Sequence, residues 1–383
     1  MRTKQVKTAA AVLLSVTLLS GCYPTGDQDP RSDIVNEEIT VSNTENTSSG
    51  QSIGDTSDEN SPRQNISYDL TLPQNTPSTV SQIRLQVRKW KENEIESIFL
   101  DGKTVVEQNT YEPDFFPDDL RYVYLTSDNW WVIREPGRFT ADNRSALVGE
   151  FHYGAVYPSF TKVCLASDEE LSAFSRSDAI KRVNEILDKL NIPYGTPYVI
   201  PVKADTANEN LRAYGEFLKA LGENDDFSYT PWGEENEIYI LIYPLIYEGM
   251  ELTMYDMKIP GTNDYVGGAS VEAVVSKDDL ISIRGRTIYQ TEYETEEQIA
   301  VKYGAEFSLN KIKEFYAPQI ISEETEFYHC KLVYVPIKKE SEAYLSVAPA
   351  WEFDGSEQSD YSSTKTPVFQ FVYAHNGNRY SGY

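Results

Sequence analysis

The amino-acid sequence predicts an α+β fold in which antiparallel sheets are backed by a few helices. Three observations lead there. Beyond residue 65 the chain divides into short runs that alternate with period two, or that are continuously β-branched and aromatic, between turn residues. Helical periodicity is sustained in only a few places. Apolar residues make up 40% of the 383, enough for a real core, and the 27 tyrosines suit strands that are apolar on one side and wet on the other.

Residues 1–21 read as a secretory signal. Arg2, Lys4 and Lys7 form a basic start, and Thr8 to Leu19 follow as an apolar run. About a dozen apolar residues cannot cross a hydrocarbon layer that needs roughly 20. Residues 22–64 read as a tether. Tyr23 is its only aromatic, and polar runs such as Asn43-Thr-Glu-Asn-Thr-Ser-Ser-Gly50 lack the apolar surface that offsets chain entropy. A flexible tether of this length spans on the order of 35 Å.

Three α+β lobes are expected after it: residues 65–166, 167–290 and 291–383. In the first, Ser67 to Pro73 alternates as a strand, and Gln82 to Val87 places Ile83, Leu85 and Val87 on one face. Glu92 to Phe99 reads as a short helix. Tyr122–Leu125 and Trp130–Ile133 form a hairpin around Ser127-Asp-Asn129, with further strands over Gly149–Tyr157 and Phe160–Leu165.

The second lobe holds the clearest helix, opening at Ser175 or Ser177, whose hydroxyl caps free N–H groups, with Asp178 at the positive end of the dipole. Ile180, Val183, Leu187 and Leu190 share a face, and Pro193 ends the run. A second helix is read over Asn208–Leu221. Glu237 to Pro244 is nearly all apolar and is taken as a central strand, and Ser270–Ser276 with Leu280–Arg284 as a hairpin. In the third lobe a helix is expected over Ser308–Tyr316 and strands over Phe327–Pro336 and Pro367–Tyr373, with Tyr344 to Phe353 between them holding the segment Ala348-Pro-Ala-Trp351. A loose repeat runs through the last two lobes: a helix near Phe174-Ser175 or Phe307-Ser308, then a strand closing on Pro244 or Pro336.

Leu19-Ser20-Gly21-Cys22 resembles the lipobox of bacterial lipoproteins. The resemblance implies cleavage before Cys22, a diacylglyceryl thioether on its sulfur, and the extracytoplasmic face of the cell membrane as its place. Tyr68-Asp-Leu-Thr-Leu-Pro73, the capped helix at Ser175, Leu332-Val-Tyr-Val-Pro336 and Ala348-Pro-Ala-Trp-Glu-Phe353 together resemble Gram-positive lipoproteins of about this length. More distantly they resemble the YycH/YycI-type accessory proteins of a cell-wall sensor kinase, whose units are related to PepSY domains. That likeness implies duplicated PepSY-like units and a regulatory role. The chain departs from it in having a lipobox where those proteins have a membrane helix, and in offering only Tyr373-Ala-His-Asn-Gly377 near the position of their closing turn.

Charge narrows the partners. Loss of residues 1–21 removes three of the 34 Lys+Arg and none of the 60 Asp+Glu, leaving 31 against 60 and a net charge of −29. Such an excess repels phosphate backbones and anionic headgroups, so nucleic acid is excluded as a partner and membrane attachment falls to acyl chains.

Catalytic patterns are thin. Of the three histidines, His152, His329 and His375, no pair has i, i+4 spacing, and no cysteines stand as C-x-x-C, so no metal site or cofactor is predicted. His329 and Cys330 are neighbours on a strand and point to opposite faces. Cys164 and Cys330 leave two alternatives open, a disulfide permitted by the extracytoplasmic setting or two buried thiols. No catalytic residue is assigned. The expectation is a lipid-anchored, non-catalytic binding or regulatory protein with an envelope protein or glycan as partner; a surface glycan hydrolase using paired carboxylates is the alternative.

Overall fold

The computed structural model describes residues 65–112, 120–143, 165–220, 230–319, 321, 323–341, 343–358 and 366–380. The first part of the chain forms β1 (Ile66–Tyr68), β2 (Thr79–Val87), α1 (Glu96–Phe99), β3 (Val105–Tyr111), β4 (Arg121–Thr126), β5 (Trp130–Glu135) and β6 (Arg138–Asn143). The middle forms α2 (Arg176–Lys189), β7 (Tyr198–Val202), α3 (Ala204–Ala220), β8 (Ile238–Tyr247), β9 (Met250–Leu252), β10 (Met257–Lys258), β11 (Tyr265–Val266), β12 (Ser270–Ser276) and β13 (Leu280–Arg286). The last part forms β14 (Tyr289–Ala300), α4 (Ala305–Tyr316), β15 (Glu324–Ser341), β16 (Tyr344–Gln358) and β17 (Thr366–Tyr373).

The fold is α+β and mostly β, with four α-helices among the described residues. Fifteen strands join one open, mixed sheet in the order β14-β2-β16-β15-β9-β8-β12-β13-β6-β5-β4-β3, with β1 beside β15, β17 beside β16 and β7 beside β8. Its ladders are antiparallel except those of β15 with β1 and β9. Strands from all three sequence segments interleave: β2 lies between β14 and β16, and β6 pairs with β13. All of these strands fall within one compact unit, residues 60–383. No described helix is long and apolar enough to cross a membrane.

β8 explains the core. Its sequence Ile-Tyr-Ile-Leu-Ile-Tyr-Pro-Leu-Ile-Tyr is apolar on both faces because each face has a helix. Tyr239, Leu241 and Tyr243 pack with Val271, Ala273 and Val275 of β12 in the same core as Ala179, Val183 and Leu187 of α2. Ile238, Ile240 and Ile242, on the other face, pack with Ala204, Ala207 and Leu211 of α3. At roughly 1.5–3 kcal/mol for each large apolar side chain removed from water, this strand is among the largest contributors to the fold. A separate core lies under α4, where Leu309, Ile312 and Tyr316 meet Phe327, Cys330, Trp351 and Phe353.

Several expectations hold in detail. Ser175 is the N-cap of α2, its hydroxyl accepting from the Asp178 N–H at 3.1 Å. The β4–β5 and β12–β13 hairpins form as read. The β8–β9 turn places Glu248 and Gly249 at φ 48° and 76°, the left-handed pair of a tight hairpin. Where α2 ends, the Arg88 guanidinium donates to the carbonyls of Leu190 and Asn191, satisfying helix-end acceptors from a distant part of the chain. Arg88 is itself fixed by Glu94 at 2.6 Å and lies over the Trp90 ring.

Other boundaries move. α1 starts at Glu96, four residues late, because Asn93 is left-handed (φ 62°) and turns the chain first. α3 starts at Ala204 and α4 at Ala305, with Gly304 as N-cap, each earlier than its apolar stripe suggests. The Ser67–Pro73 strand is only β1; Leu70 and Leu72 instead pack loosely against the α4 core. Pro244 and Pro336 do not end their strands. Pro244 sits where β8 exchanges its β12 partner for β9, and Pro336 adjoins a register shift, places where a missing N–H costs no ladder bond. The expected strands at 149–157 and 160–164 lie outside the described residues, as do Cys22 and Cys164.

Gly268 is fixed by space. A Cβ there would lie 1.7 Å from the Met254 carbonyl oxygen, and its N–H donates to Asp256 at 2.8 Å. Gly268→Ala is expected to cost about 3 kcal/mol, the high end for overpacking against backbone, read as a lowered urea midpoint with an unchanged slope.

Candidate functional site

A dense group of buried ionisable side chains grows from strand alternation. With period two, residues 329, 331 and 333 of β15 share one face while Cys330 faces α4. Register then sets Asp354 of β16 opposite His329, and Glu352 opposite Lys331. Glu352 and Asp354, two residues apart, therefore share the face with the two basic side chains.

Neighbouring elements complete the shell. Lys331 Nζ lies 2.6 Å from Glu251 Oε2 of β9 and 3.2 Å from Glu352 Oε1. It also donates to the Tyr198 hydroxyl of β7 at 3.0 Å and sits 5.4 Å from that ring's centre. Thr253, just beyond β9, donates its hydroxyl to Glu352 Oε2 at 2.8 Å. His329 Nδ1 lies 3.2 Å from Asp354 Oδ2. The Tyr255 hydroxyl hydrogen-bonds Asp354, and its ring is stacked on Phe369 with centres 3.9 Å apart. Exposure is graded, from 44% for the His329 side chain to 4% for Asp354 and 0% for Glu352.

Burial dominates the electrostatics. It pushes the Glu352 carboxyl up to about 8 against the pull of Lys331, with the Asp354 charge adding to the rise. Burial works against the Lys331 ammonium too, but the surrounding Glu352, Tyr198, Asp354 and Glu251 outweigh it and hold the ammonium well above its ordinary range. Burial raises the Tyr198 phenol to about 12, partly countered by Lys331, and raises Tyr255 further, with Asp354 contributing. Glu352 Oε1 and Asp354 Oδ1 are both buried without a hydrogen-bond donor among the described residues; Lys331 approaches the first as a charge, outside hydrogen-bond geometry.

This chemistry is that of proton storage and charge pairing. Among the described residues no group of three His, Cys, Asp or Glu side chains is arranged to hold a metal ion. His329 is oriented by a carboxylate as in an acid–base dyad, yet the thiol beside it in sequence points the other way. Cys330 packs among Trp351, Phe353 and Ile312, and burial lifts its thiol to about 12, far from a reactive thiolate. His375 follows β17 against the Tyr373 ring, and burial lowers its pKa. His152 lies outside the described residues.

Lys331, Glu352, Asp354 and Glu251 are not singled out by sequence reading. The signal was a charge at every second position inside apolar strands, His329 and Lys331 in one and Glu352 and Asp354 in the other. Only register reveals that the two sets meet.

No family model matches the chain, and no curated protein matches it. Its fold is similar to that of an uncharacterised protein from Eubacterium rectale ATCC 33656, a Gram-positive bacterium, known from a crystal structure at 1.45 Å resolution. The TM-score is 0.63 at 11% identity, over 83% of this chain and 91% of that one.

Removing the central cation strands buried carboxylates. Lys331→Met is expected to cost about 3–5 kcal/mol in urea unfolding at neutral pH, the range for breaking one side of a buried ion pair.

Proposed function

We propose that this protein is a lipid-anchored component of the extracytoplasmic face of the cell membrane that acts by binding or regulation and not by catalysis. The observation that carries the proposal is Leu19-Ser20-Gly21-Cys22, preceded by a basic start and a short apolar run and followed by a stretch of some forty mostly polar residues. Two acyl chains on Cys22 hold a protein stably on a membrane, each buried CH₂ contributing about 0.8 kcal/mol. The polar segment then lets the folded part stand off the lipid, which its acidity also favours.

The non-catalytic half of the reading draws support from the ionic group on β15 and β16. Its carboxylates are engaged by Lys331, Thr253 and His329, partners within the fold. The regulatory half rests on the resemblance to Gram-positive lipoproteins and to YycH/YycI-type accessory proteins. The fold similarity to a Gram-positive bacterial protein is compatible with that origin. An envelope protein, in the manner of a sensor-kinase accessory factor, is the partner this reading expects.

Cys22→Ala in the full chain tests the anchor. Wild-type protein is expected to take up radiolabelled fatty acid and to sediment with membranes, and the variant to lose the label and appear in the soluble fraction. An unlabelled Cys22 in the wild-type protein refutes the proposal. Crosslinking of the anchored chain in intact membranes tests the partner, with recovery of an envelope protein as the expected outcome.

A further inference from the structure

The shortest ladder in the main sheet is the one that joins β9 to β15: a single register pair, Tyr334 with Leu252, extended by the Thr253 N–H donating to the Tyr334 carbonyl. At this narrow seam the side chains take over. Lys331 reaches from β15 to Glu251 of β9 and Tyr198 of β7, and Thr253 reaches back to Glu352 of β16. The seam is held by charge as much as by backbone.

That charge does not balance. One lysine faces three carboxylates, Glu251, Glu352 and Asp354, with His329 at the solvent edge. Glu352 and Asp354 stand two residues apart on one face of a strand, roughly 7 Å along the backbone, and each keeps one buried oxygen without a donor among the described residues. Two such anions side by side are costly to desolvate, and one ammonium already shared with Glu251 cannot offset both. A proton on one carboxyl removes one of the two charges.

We propose that this seam is a proton-operated latch: at neutral pH a proton held on Glu352 keeps β7, β9, β15 and β16 drawn around Lys331, and its loss at alkaline pH loosens their junction. The inference concerns the fold alone and does not rest on the lipid anchor. The groups facing Glu352 are Lys331 and His329 from β15, Asp354 from its own strand, Glu251 and Thr253 from β9 and the residue beyond it, Tyr198 from β7 and Tyr255 from above. Both tyrosines stay protonated across the range, and Lys331 stays charged. Glu352 is the carboxyl that is lifted into this range, with burial as the main cause.

The direction follows from linkage. A carboxyl raised in the folded state from 4.5 to about 8 binds its proton more tightly there than in the unfolded chain. Its contribution to stability is therefore complete below the unfolded value and lost as pH rises to the folded one. Within that window the unfolding equilibrium constant rises by up to about tenfold per pH unit from this group.

Urea unfolding of the full chain from about pH 5 to about pH 9, for wild type and Glu352→Gln, measures that slope. The amide mimics the protonated acid, so the variant is expected to lose the wild-type decline. As pH rises from about 5 toward about 8, wild-type backbone hydrogen exchange, corrected for its intrinsic pH dependence, is expected to accelerate in Tyr198–Val202, Met250–Leu252 and the middle of β15 while β4 and β5 keep their protection. An unchanged slope in a folded Glu352→Gln protein overturns the proposal. Should that variant not fold, infrared titration of the wild type decides. A carboxylic-acid carbonyl band that vanishes near about pH 8 is expected, and a spectrum showing only carboxylates at neutral pH overturns the latch.

Discussion

A strand covered on both faces has nowhere to place a polar side chain, and β8 meets that constraint along its length. α2 and α3 lie on its two faces, and each brings a stripe of small and branched apolar residues. The strand is also where the sheet changes character. Its first part pairs with β7 and β12, its last three residues with β9, and the sheet continues from there to β15 and β16. The arrangement of the molecule on either side follows from keeping this one segment dry and fully paired.

Beyond β9 the balance of forces changes from apolar burial to electrostatics. β15 and β16 are apolar toward α4, where Trp351 and Phe353 lie, and ionic toward β7 and β9. An apolar replacement of the whole ionic group is the kind of change that often stabilises a protein, since the desolvation of buried charges is seldom fully repaid. Its retention in a chain otherwise rich in exposed acid sets it apart from the surface charge. Surface acids are solvated by water, whereas Glu352 and Asp354 depend on Lys331, His329 and the hydroxyls of Thr253 and Tyr255.

Much of the fold was legible in the sequence, for physical reasons that differ by element. α2 was clear because cap, stripe and stop agree: Ser175 opens it and Pro193 follows it. The β12–β13 hairpin was clear because Lys277-Asp-Asp279 interrupts two β-branched runs. The starts of α3 and α4 were hidden because their first turns bury only alanines, Ala204 and Ala207 in α3 and Ala305 in α4, while Phe307 stays exposed. Pro244 and Pro336 misled because a proline marks a missing donor, and only pairing shows whether a donor was needed there. The ionic group was illegible for the same reason. Alternation separates His329 from Cys330, but the meeting of His329 and Lys331 with Glu352 and Asp354 depends on a register set by strands about twenty residues apart, and with Glu251 and Tyr198 on the path of the whole sheet.

The Arg88 clamp on the end of α2 has a practical corollary. Its guanidinium, fixed by Glu94 and Trp90, closes a helix that begins nearly ninety residues later, and β2, from which it extends, is flanked by strands from the far end of the chain. Excising any one stretch for separate expression would leave bare carbonyls at a helix terminus and raw edges on several ladders. Whoever wishes to crystallise or immobilise the globular portion should carry it from about residue 65 to the C-terminus as one indivisible piece.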